Sequence, residues 1–396
     1  MENWNNFGFD ATADDTFYLQ RIKLHTDVHV GQFLRVYLEG KSALSKGRSL
    51  PGGKRIIDVD SIALQQAFFD LRIPFGKDAV LTFRPGRQEF SFGKQRLVSP
   101  LPWANTLRTW DGVTGILELN NWNIRGFWSR FAPVRRYSFN KSTSKSRFFG
   151  MYGAGKIFSN QFALDLYWLG INRDRQTFNG TPGNESRQTL GGRVEGKIPK
   201  TNFDFEMEGA HQFGSLGSAD IRAFMFSSVF GYRFVDWKGI PRLWMGFDYA
   251  SGDHKAGGNV QTFNQLFPLG HPFLGFIDVI ARQNSIDVSQ GISFKPFQII
   301  PFMPFRHLTF NVDHHLFFRA TKADALFNAG GVVIRAGSLG NSKTIGSEVD
   351  LTARFSVGRH IDALLGYSHF FSGDFLEESG TSKDINFNYV QFHYIF

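Results

Sequence analysis

Apolar and polar side chains alternate with a period of two along most of this chain. Segments of about ten residues follow the pattern, and each ends at Gly, Asn, Asp, Ser or Pro. In an early segment, Tyr18, Ile22 and Leu24 lie on one face, whereas Arg21 and Lys23 lie on the other. No stretch reads as an amphipathic helix of useful length. The pattern predicts an all-β chain of roughly 16 to 18 antiparallel strands.

The two faces of these strands differ in a way that favours a membrane barrel. One face carries large apolar side chains with few charges, and the other carries Arg, Asp, Glu and Gln, which a dry core would bury only at high cost. A propeller or β-helix would show a repeat of about 40 residues, and none is visible. The final strand alternates up to Phe396, which resembles the insertion signal of outer-membrane proteins. We expect one transmembrane antiparallel β-barrel over residues 17–396, preceded by an N-terminal segment over residues 1–16.

Composition and charge indicate where in the cell the protein lies and which class of partner it binds. Cysteine is absent, so disulfides and thiolate metal sites are excluded. A net charge of +9 favours anionic partners, which in an outer membrane include lipopolysaccharide. The chain contains no run of about 18 apolar residues, so no membrane-spanning helix is predicted. The N-terminus also lacks a signal-peptide pattern, so we expect a bacterial outer-membrane protein whose signal peptide has been removed.

One stretch interrupts the regular pattern of the wall. Residues 86–112, GRQEFSFGKQRLVSPLPWANTLRTWDG, combine basic and aromatic side chains and are expected to lie in the lumen as a constriction. Its Lys94, Arg96 and Arg108 have only Glu89 and Asp111 as acidic neighbours in the stretch. We therefore expect these three cations to tilt the lumen toward anions, since an arginine fork can grip a carboxylate and release it.

Sorting the inward charges by their position predicts an uneven lumen. The early strands carry the basic residues Arg21, Lys23, Arg35, Arg72, Arg84, Arg87 and Arg125, with the acids Glu39, Asp70, Glu89 and Glu118. The middle and late strands carry the acids Asp204, Glu206, Glu208, Asp248, Asp287, Asp313, Glu348 and Asp350, with the basic residues Arg193, Lys197, Arg319 and Arg354. This order predicts a basic arc that faces an acidic arc across the lumen.

Enzymatic arrangements are not supported by the sequence. A His-x-Ser pair of the kind that an outer-membrane phospholipase uses is missing. Asp253 and His254, like Asp313 and His314, are neighbours, and neighbours in a strand point to opposite faces. The histidines have no metal-site spacing, and the basic residues form no contiguous patch for nucleic acid. We expect no catalytic residue, no metal, no cofactor and no nucleic-acid partner.

Two blocks of sequence resemble the alginate export family of outer-membrane barrels. These are GRQEFSFGKQRLVSPLPWANTLRTWDGV at 86–113, and FDYASGDH at 247–254 followed by TFNQLFPLGHPFLGFIDVI at 262–280. The resemblance implies an 18-stranded barrel with an electropositive constriction that passes an anionic uronate polysaccharide and is gated by a loop. It implies that Arg87 and Glu89 line the lumen, that Arg96 and Arg108 face the solute, and that Asp111 holds one arginine in place.

Most of the second block falls within a long loop at residues 251–284, which is expected to be extracellular or folded into the pore. Its polar candidates are Asn264, His271 and Asp278. Trp103 and Trp110 are expected to pack as much as to contact a solute.

Two functions remain open from the sequence. The first is a passive, anion-preferring outer-membrane channel for diffusion or export of anionic saccharides or small anions. The second is a barrel that conducts little and serves as a scaffold for an outer-membrane complex, with outer-membrane or periplasmic partner proteins. The aromatic density and the apolar segment at residues 266–277 motivate the second function.

Overall fold

The computed structural model describes residues 1–76, 78–158, 160–178, 180–296 and 306–396. Nearly all regular structure in these residues is β-strand; a short 3-10 turn lies at Phe7–Phe9, and a six-residue helix, α1, at Asp374–Ser379. The first ten strands are β1 (Glu2–Asn5), β2 (Asp15–Val30), β3 (Leu34–Lys46), β4 (Asp60–Phe75), β5 (Ala79–Gln88), β6 (Thr109–Leu119), β7 (Trp122–Ala132), β8 (Ser146–Ile157), β9 (Phe162–Phe178) and β10 (Thr181–Lys197). The others are β11 (Phe203–Leu216), β12 (Ala219–Arg233), β13 (Arg242–Ala250), β14 (Ser285–Phe294), β15 (Arg306–Arg319), β16 (Leu326–Phe327), β17 (Val333–Arg335), β18 (Thr344–Val357), β19 (Ile361–Ser372) and β20 (Ile385–Tyr394).

Eighteen of these strands form one closed antiparallel sheet. Each pairs with its neighbour in the chain, except that β15 pairs directly with β18, because β16 and β17 form a separate small hairpin in the connection between them. The ring closes where β1 pairs with both β2 and β20. The predicted barrel of about 18 strands is therefore confirmed. The N-terminal segment differs from our expectation, since its residues 2–5 belong to the wall and β2 begins at Asp15.

The predicted alternation of faces is visible in the exposure of the strands. On β3, Leu38 is 50% exposed on the outside, whereas Glu39 next to it is 3% exposed on the inside. The outward set on β2 likewise contains the exposed Tyr18, Ile22 and Leu24. Such a surface suits lipid outside and polar contacts inside. The described residues contain no helix that is long and apolar enough to cross a membrane.

The connections at the two ends of the barrel differ in length. The turns at 31–33, 120–121 and 358–360 lie at one end, the short-turn end. The opposite, long-loop end holds residues 89–108 (the inserted loop), 251–284 (the long loop) and 320–343 (the third loop). Short turns at one end and long loops at the other are typical of outer-membrane barrels.

The three named loops pack on one another inside the long-loop end. The backbone N–H of Ser99 donates to the carbonyl of Phe267 at 2.9 Å, and the N–H of Phe267 donates to Leu97 at the same distance, which ties the inserted loop to the long loop. Ala281 donates to Phe327, which ties the long loop to the third loop. The main apolar clusters include residues of these loops, so much of the core lies within the barrel.

Candidate functional site

The inserted loop enters the lumen along an aromatic face of the wall. Phe90 and Phe92 are buried against inward side chains of β6 to β8, and the Phe92 ring stacks on Tyr152 with 4.7 Å between ring centroids. Gly93 follows with φ +53°, and a Cβ at that position would lie 2.6 Å from Tyr152 Oη. Only glycine fits this turn without a shift of its neighbours. The turn delivers the next residues toward the middle and late strands.

Arg96 lies against two carboxylates of β11. Its Nη1 contacts Glu206 and lies 3.2 Å from Glu208 Oε2, and Arg96 is only 2% exposed. The guanidinium carbon also lies 4.5 Å from the ring centroid of Phe273 in the long loop. Burial opposes the charge of Arg96, but Glu206 and Glu208 outweigh burial and raise its pKa. The arginine is thus charged, enclosed and neutralised.

Lys94 borders an open cavity of about 620 Å³ near the short-turn end. Its Nζ lies 2.8 Å from Glu195 Oε2, and both side chains remain partly exposed. The charged residues that line the cavity are Lys94, Lys156, Lys197, Arg233, Arg242, Glu195, Asp204 and Glu206. The expectation that acids do not balance Lys94 and Arg96 is wrong, because β10 and β11 supply partners that are distant in sequence.

Arg108 joins the inserted loop to the long loop and has carbonyl partners. Its Nη1 donates to the carbonyl of Pro268 at 2.7 Å and to that of Ser99 at 3.4 Å. Burial lowers the pKa of Arg108 to about 10, a value that leaves the guanidinium charged at neutral pH. Through these hydrogen bonds Arg108 connects the inserted loop with the long loop. The sequence analysis instead expected Arg108 to face the solute.

Glu89 lies on the lumen side at the start of the inserted loop. Gln65 Nε2 donates to Glu89 Oε1 at 2.8 Å, and Gln66 Oε1 accepts from the Glu89 backbone N–H. Burial raises the pKa of Glu89 above its ordinary value, while Lys23 opposes that shift. This carboxyl group is a titratable site close to lumen cations.

Arg87 and Asp111 do not line the lumen, which corrects our expectation for Arg87. Arg87 pairs in register with Ala67, which pairs with the outward Leu38. Asp111 binds Arg87 with both oxygens, at 2.6 and 2.8 Å, so the expected restraint of an arginine by Asp111 is present on the outer face. The physical reason is the period of two, because the outward position of Phe83 on β5 places Arg87 on the same side.

Four arginines form a basic stripe on the inner wall from β3 to β7, which we define as Arg35, Arg72, Arg84 and Arg125. Asp70 lies among them, 2.6 Å from Arg84 Nε and 3.6 Å from Arg35 Nη1. The side chains of Arg35 and Arg84 are 25% and 20% exposed. Arg125 Nε donates to Asn123, a neutral partner. Arg35 also binds Asp27 with two hydrogen bonds, at 2.7 and 2.9 Å, and Glu118 lies near Arg125. The four arginines therefore outnumber these three neighbouring acids by one.

Two acidic residues of the wall, Asp248 on β13 and Glu348 on β18, are covered by the long loop. Arg282 of that loop binds Asp248, with 2.8 Å between Nη2 and Oδ2. Glu348 accepts from the backbone N–H of Ile277 at 2.9 Å, and a Cβ at Gly275 would lie 2.5 Å from its carboxylate. Glu348 and Asp350 are 0% exposed. The predicted basic and acidic arcs occupy separate parts of the wall. Asp248, Glu348 and Asp350 of the acidic arc are enclosed, whereas Asp204, Glu206 and Asp313 remain partly exposed.

The three polar candidates in the long loop have structural contacts. Asn264 is buried and donates to Glu185, with 3.3 Å between Nδ2 and Oε1. His271 Nδ1 lies 3.1 Å from Asp278 Oδ2, and its ring stacks on Trp103 with 3.5 Å between centroids. Trp103 thus packs the inserted loop on the long loop, and Trp110 is fully buried. These contacts hold the loops together.

The other expected lumen residues are divided among wall and loop contacts. Arg21 donates to the carbonyl of Ala104 at 2.7 Å, Lys23 pairs with Glu39 at 3.0 Å, and Arg193 pairs with Asp165. Arg354 is exposed on the inner face of β18. Among the residues that the structure describes, no three His, Asp or Glu side chains are placed to hold a metal ion.

Sequence reasoning missed Arg282, the cation that neutralises the buried Asp248. Arg282 follows the apolar run that ends at Ile280 and lies three positions before the start of β14. A basic residue at the end of an apolar loop segment was the available signal. It did not identify a partner, because Asp248 lies on the other side of a loop of more than thirty residues.

Comparisons with known proteins identify a family and a fold. The sequence model described as alginate export matches residues 1–390. No curated protein matches the chain. The structure is similar to Pseudomonas aeruginosa OpdO, with a TM-score of 0.60 and 10% identity over 99% of this chain and 93% of that one. It is also similar to Pseudomonas aeruginosa OpdK with vanillate, with a TM-score of 0.62 and 10% identity over 100% of this chain and 96% of that one.

Proposed function

The chain belongs to the alginate export family and is a channel of the bacterial outer membrane for small solutes, and we propose that this channel prefers anionic solutes. The anions include small carboxylates and acidic saccharides such as short uronates. The proposal covers passive permeation through the lumen, which needs no covalent chemistry from the protein.

Anion preference is supported by a difference in exposure between the two arcs, because acidic residues of one arc are buried whereas arginines of the other arc are partly exposed. Asp248 and Glu348 contact the long loop, and Asp350 is buried on the same wall, so these charges are held away from a solute. Arg35 and Arg84 of the basic stripe remain partly exposed. A passing ion therefore meets a wall of mainly positive sign, and wall charge sets permeation.

The chemistry of arginine suits a pathway for carboxylated solutes. A guanidinium presents a planar fork that binds a carboxylate through two hydrogen bonds. Arg84 is held by Asp70 through two such bonds, at 2.6 and 2.7 Å. This pairing weakens the grip of Arg84 on a solute and fixes its position. Within the stripe, acidic residues neutralise Arg35 and Arg84 more than they neutralise Arg72 and Arg125.

Planar-bilayer recordings under a salt gradient test this proposal. We expect a reversal potential of the anion-preferring sign, and we expect the Arg72→Gln, Arg125→Gln double variant to move it toward cations. Arg222→Gln is the matched control, because it removes one charge from the outer surface, where Arg222 pairs with Asp220 at 3.2 Å. Cation preference in the unmodified channel, or an equal shift in the control, contradicts the proposal.

Uronate and small-carboxylate solutes are distinguished by flux into liposomes. Vanillate, the molecule named with OpdK, is a small aromatic carboxylate and a suitable probe beside short oligouronates. Neutral analogues of similar size provide the reference. We expect faster flux of the charged member of each pair, and faster flux of the neutral members would contradict an anion-preferring lumen.

A second candidate function is a scaffold that conducts little. It is favoured by the packing of the inserted, long and third loops across the long-loop end, where Phe263, Leu274 and Arg282 are almost completely buried. In this case the barrel binds an outer-membrane or periplasmic partner protein. Co-purification of a stoichiometric partner together with silent bilayers would support it, and regular single-channel steps would exclude it.

A further inference from the structure

A segment on the outer side of the barrel has six basic residues and no acidic one. It runs from Arg130 to Arg147, across the end of β7, the connection at 133–145 and the start of β8. The basic residues are Arg130, Arg135, Arg136, Lys141, Lys145 and Arg147. The segment lies at the long-loop end, and in outer-membrane barrels the longer loops are extracellular. The proposed lumen function does not account for this charge.

Arg130 and Arg147 face outward directly opposite each other. They are partners in the register of β7 and β8, and both are exposed. On the same outward face, two residues closer to the membrane centre, lie Trp128 on β7 and Phe149 on β8. The guanidinium of Arg130 lies 5.5 Å from the centroid of the Trp128 ring. The two charges therefore sit just beyond the apolar band of the wall.

Two like charges directly opposite on a sheet destabilise it unless an anion lies between or beside them. The nearest acidic residue in the register is Asp111, the partner of Arg130 on β6. Both oxygens of Asp111 already bind Arg87. Over the described part of the chain, no ion pair within 4.0 Å involves Arg130 or Arg147. The wall thus leaves a place for an external anion.

The connection at 133–145 enlarges this surface. It continues the wall above β5 and β6, where the backbone N–H of Ser61 donates to the carbonyl of Arg136 at 2.8 Å and Arg87 donates to the carbonyl of Asn140. Tyr137 and Phe139 remain 70% and 54% exposed. Aromatic rings beside basic side chains at the edge of an apolar band suit the boundary between acyl chains and head groups.

We propose that this surface binds the phosphate groups of a phosphorylated outer-leaflet lipid of the lipid A type. Arg130 and Arg147 share one phosphate, with charge-assisted hydrogen bonds from both guanidinium groups. Lys145 adds charge beside them, and Tyr137 and Phe139 contact the upper part of the acyl chains. A lipid fits better than a free anion because the arginines stand directly above lipid-facing aromatic residues.

The outer surface provides a matched control at the same end of the barrel. Arg222 lies on the outward face of β12, in the same face as the exposed Phe224, and is also exposed. Unlike the pair on β7 and β8, Arg222 has its own carboxylate, with 3.2 Å between Nη2 and Asp220 Oδ2. Arg222→Gln therefore removes an outward positive charge that is already paired with a carboxylate, in contrast to the unpaired charges of Arg130 and Arg147.

Native mass spectrometry of the purified barrel, titrated with lipid A that carries two phosphates, tests the proposal. We expect the Arg130→Gln, Arg147→Gln double variant to bind this lipid about tenfold more weakly or worse, and Arg222→Gln to bind as the unmodified protein does. Fully dephosphorylated lipid A should bind the unmodified protein as weakly as the double variant binds the phosphorylated form. Equal binding by the double variant, or equal binding of the two lipids, overturns the proposal.

Two further measurements separate the proposal from its alternatives. Heat-modifiable migration on gels and bilayer conductance should be unchanged in the double variant, which shows that the barrel is folded and that the lumen is intact. If the double variant fails to fold, Arg147→Gln alone is used, and it should weaken lipid binding by a smaller factor. Inorganic phosphate should not displace the lipid, and displacement at a concentration similar to that of the lipid would identify a free-anion site instead.

Discussion

Arg96 Nη1 lies 3.2 Å from Glu208 Oε2, although the two residues are separated by 112 positions. The contact spans from the inserted loop to the inner face of β11, so it fixes the loop across the lumen. It also neutralises one of the three cations that the sequence analysis expected to set the selectivity. The position of the loop and the charge of the lumen are therefore set by the same interaction.

Arg96→Gln should destabilise the barrel and move its selectivity toward cations. The substitution leaves Glu206 and Glu208 without their cation in an enclosed site, and breaking such a pair costs about 3–5 kcal/mol. Thermal unfolding and reversal potentials measure the two effects. Lys94→Gln is the control, because the Lys94 and Glu195 side chains are partly exposed and such a pair contributes about 0–1 kcal/mol. Equal losses of thermal stability in the Arg96 and Lys94 variants would contradict a special role for the enclosed pair.

Arg87→Gln should lower stability without changing ion selectivity. Arg87 forms two charge-assisted hydrogen bonds with Asp111 on the outer face, and hydrogen bonds to charged groups contribute about 1.5–3 kcal/mol. The same denaturation and reversal measurements apply, with Asp111→Asn as the partner variant. A reversal potential that moves toward cations would show that Arg87 reaches the lumen after all.

Glu89 should make ion selectivity depend on pH. Burial raises the pKa of its carboxyl group from the ordinary 4.5, so the group stays neutral up to a higher pH than usual. As pH rises through the raised pKa, Glu89 gains a negative charge beside Lys23, and anion preference should fall. Reversal potentials of the unmodified protein and Glu89→Gln should agree below pH 4.5 and diverge above the raised pKa, where the variant keeps the stronger anion preference.

The same group affects stability in a fixed direction. The folded protein binds the Glu89 proton more tightly than the unfolded chain, so ionisation between the two pKa values costs stability as pH rises. Glu89→Gln should therefore be relatively more stable at neutral pH than at pH 4. A stability difference that grows in the opposite direction would show that the folded pKa is not raised.

Gly93→Ala should displace the inserted loop and increase single-channel conductance. A Cβ at residue 93 would meet Tyr152 Oη at 2.6 Å, and φ +53° is unfavourable for alanine. The matched control is Gly126→Ala, where a Cβ has nothing within 4 Å and φ is not positive. Unchanged conductance and thermal stability in Gly93→Ala would mean that the loop does not determine the width of the lumen.

The fold was predictable because strand faces are a local property. The alternation of Leu38 and Glu39 on β3 states which side meets lipid, and the structure confirms it. The same rule, counted from Phe83, places Arg87 outside. The sequence analysis departed from the rule when it listed Arg87 with the inward charges, and the family resemblance implied the same position. The closing strand β1 was missed because four residues are too few to show a period.

The candidate site was less predictable because its contacts are distant in sequence. Arg96 reaches Glu206 over 110 positions, and the path of the inserted loop decides that pairing. The enclosure of Glu348 by Ile277 likewise depends on how the long loop folds back over the wall. Sequence periodicity identifies which charges point inward, but it does not show which of them a loop will cover.

The long loop affects the charge of the lumen as well as its width, because it covers acidic residues of the wall. It is an electrostatic mask, since lifting the segment around Gly275 and Arg282 would uncover Glu348 and Asp248 at the same moment that it widened the passage. An open and a closed loop would then differ in polarity as well as in size. Conductance substates of one molecule would consequently have different reversal potentials, so loop movement could be followed by its sign.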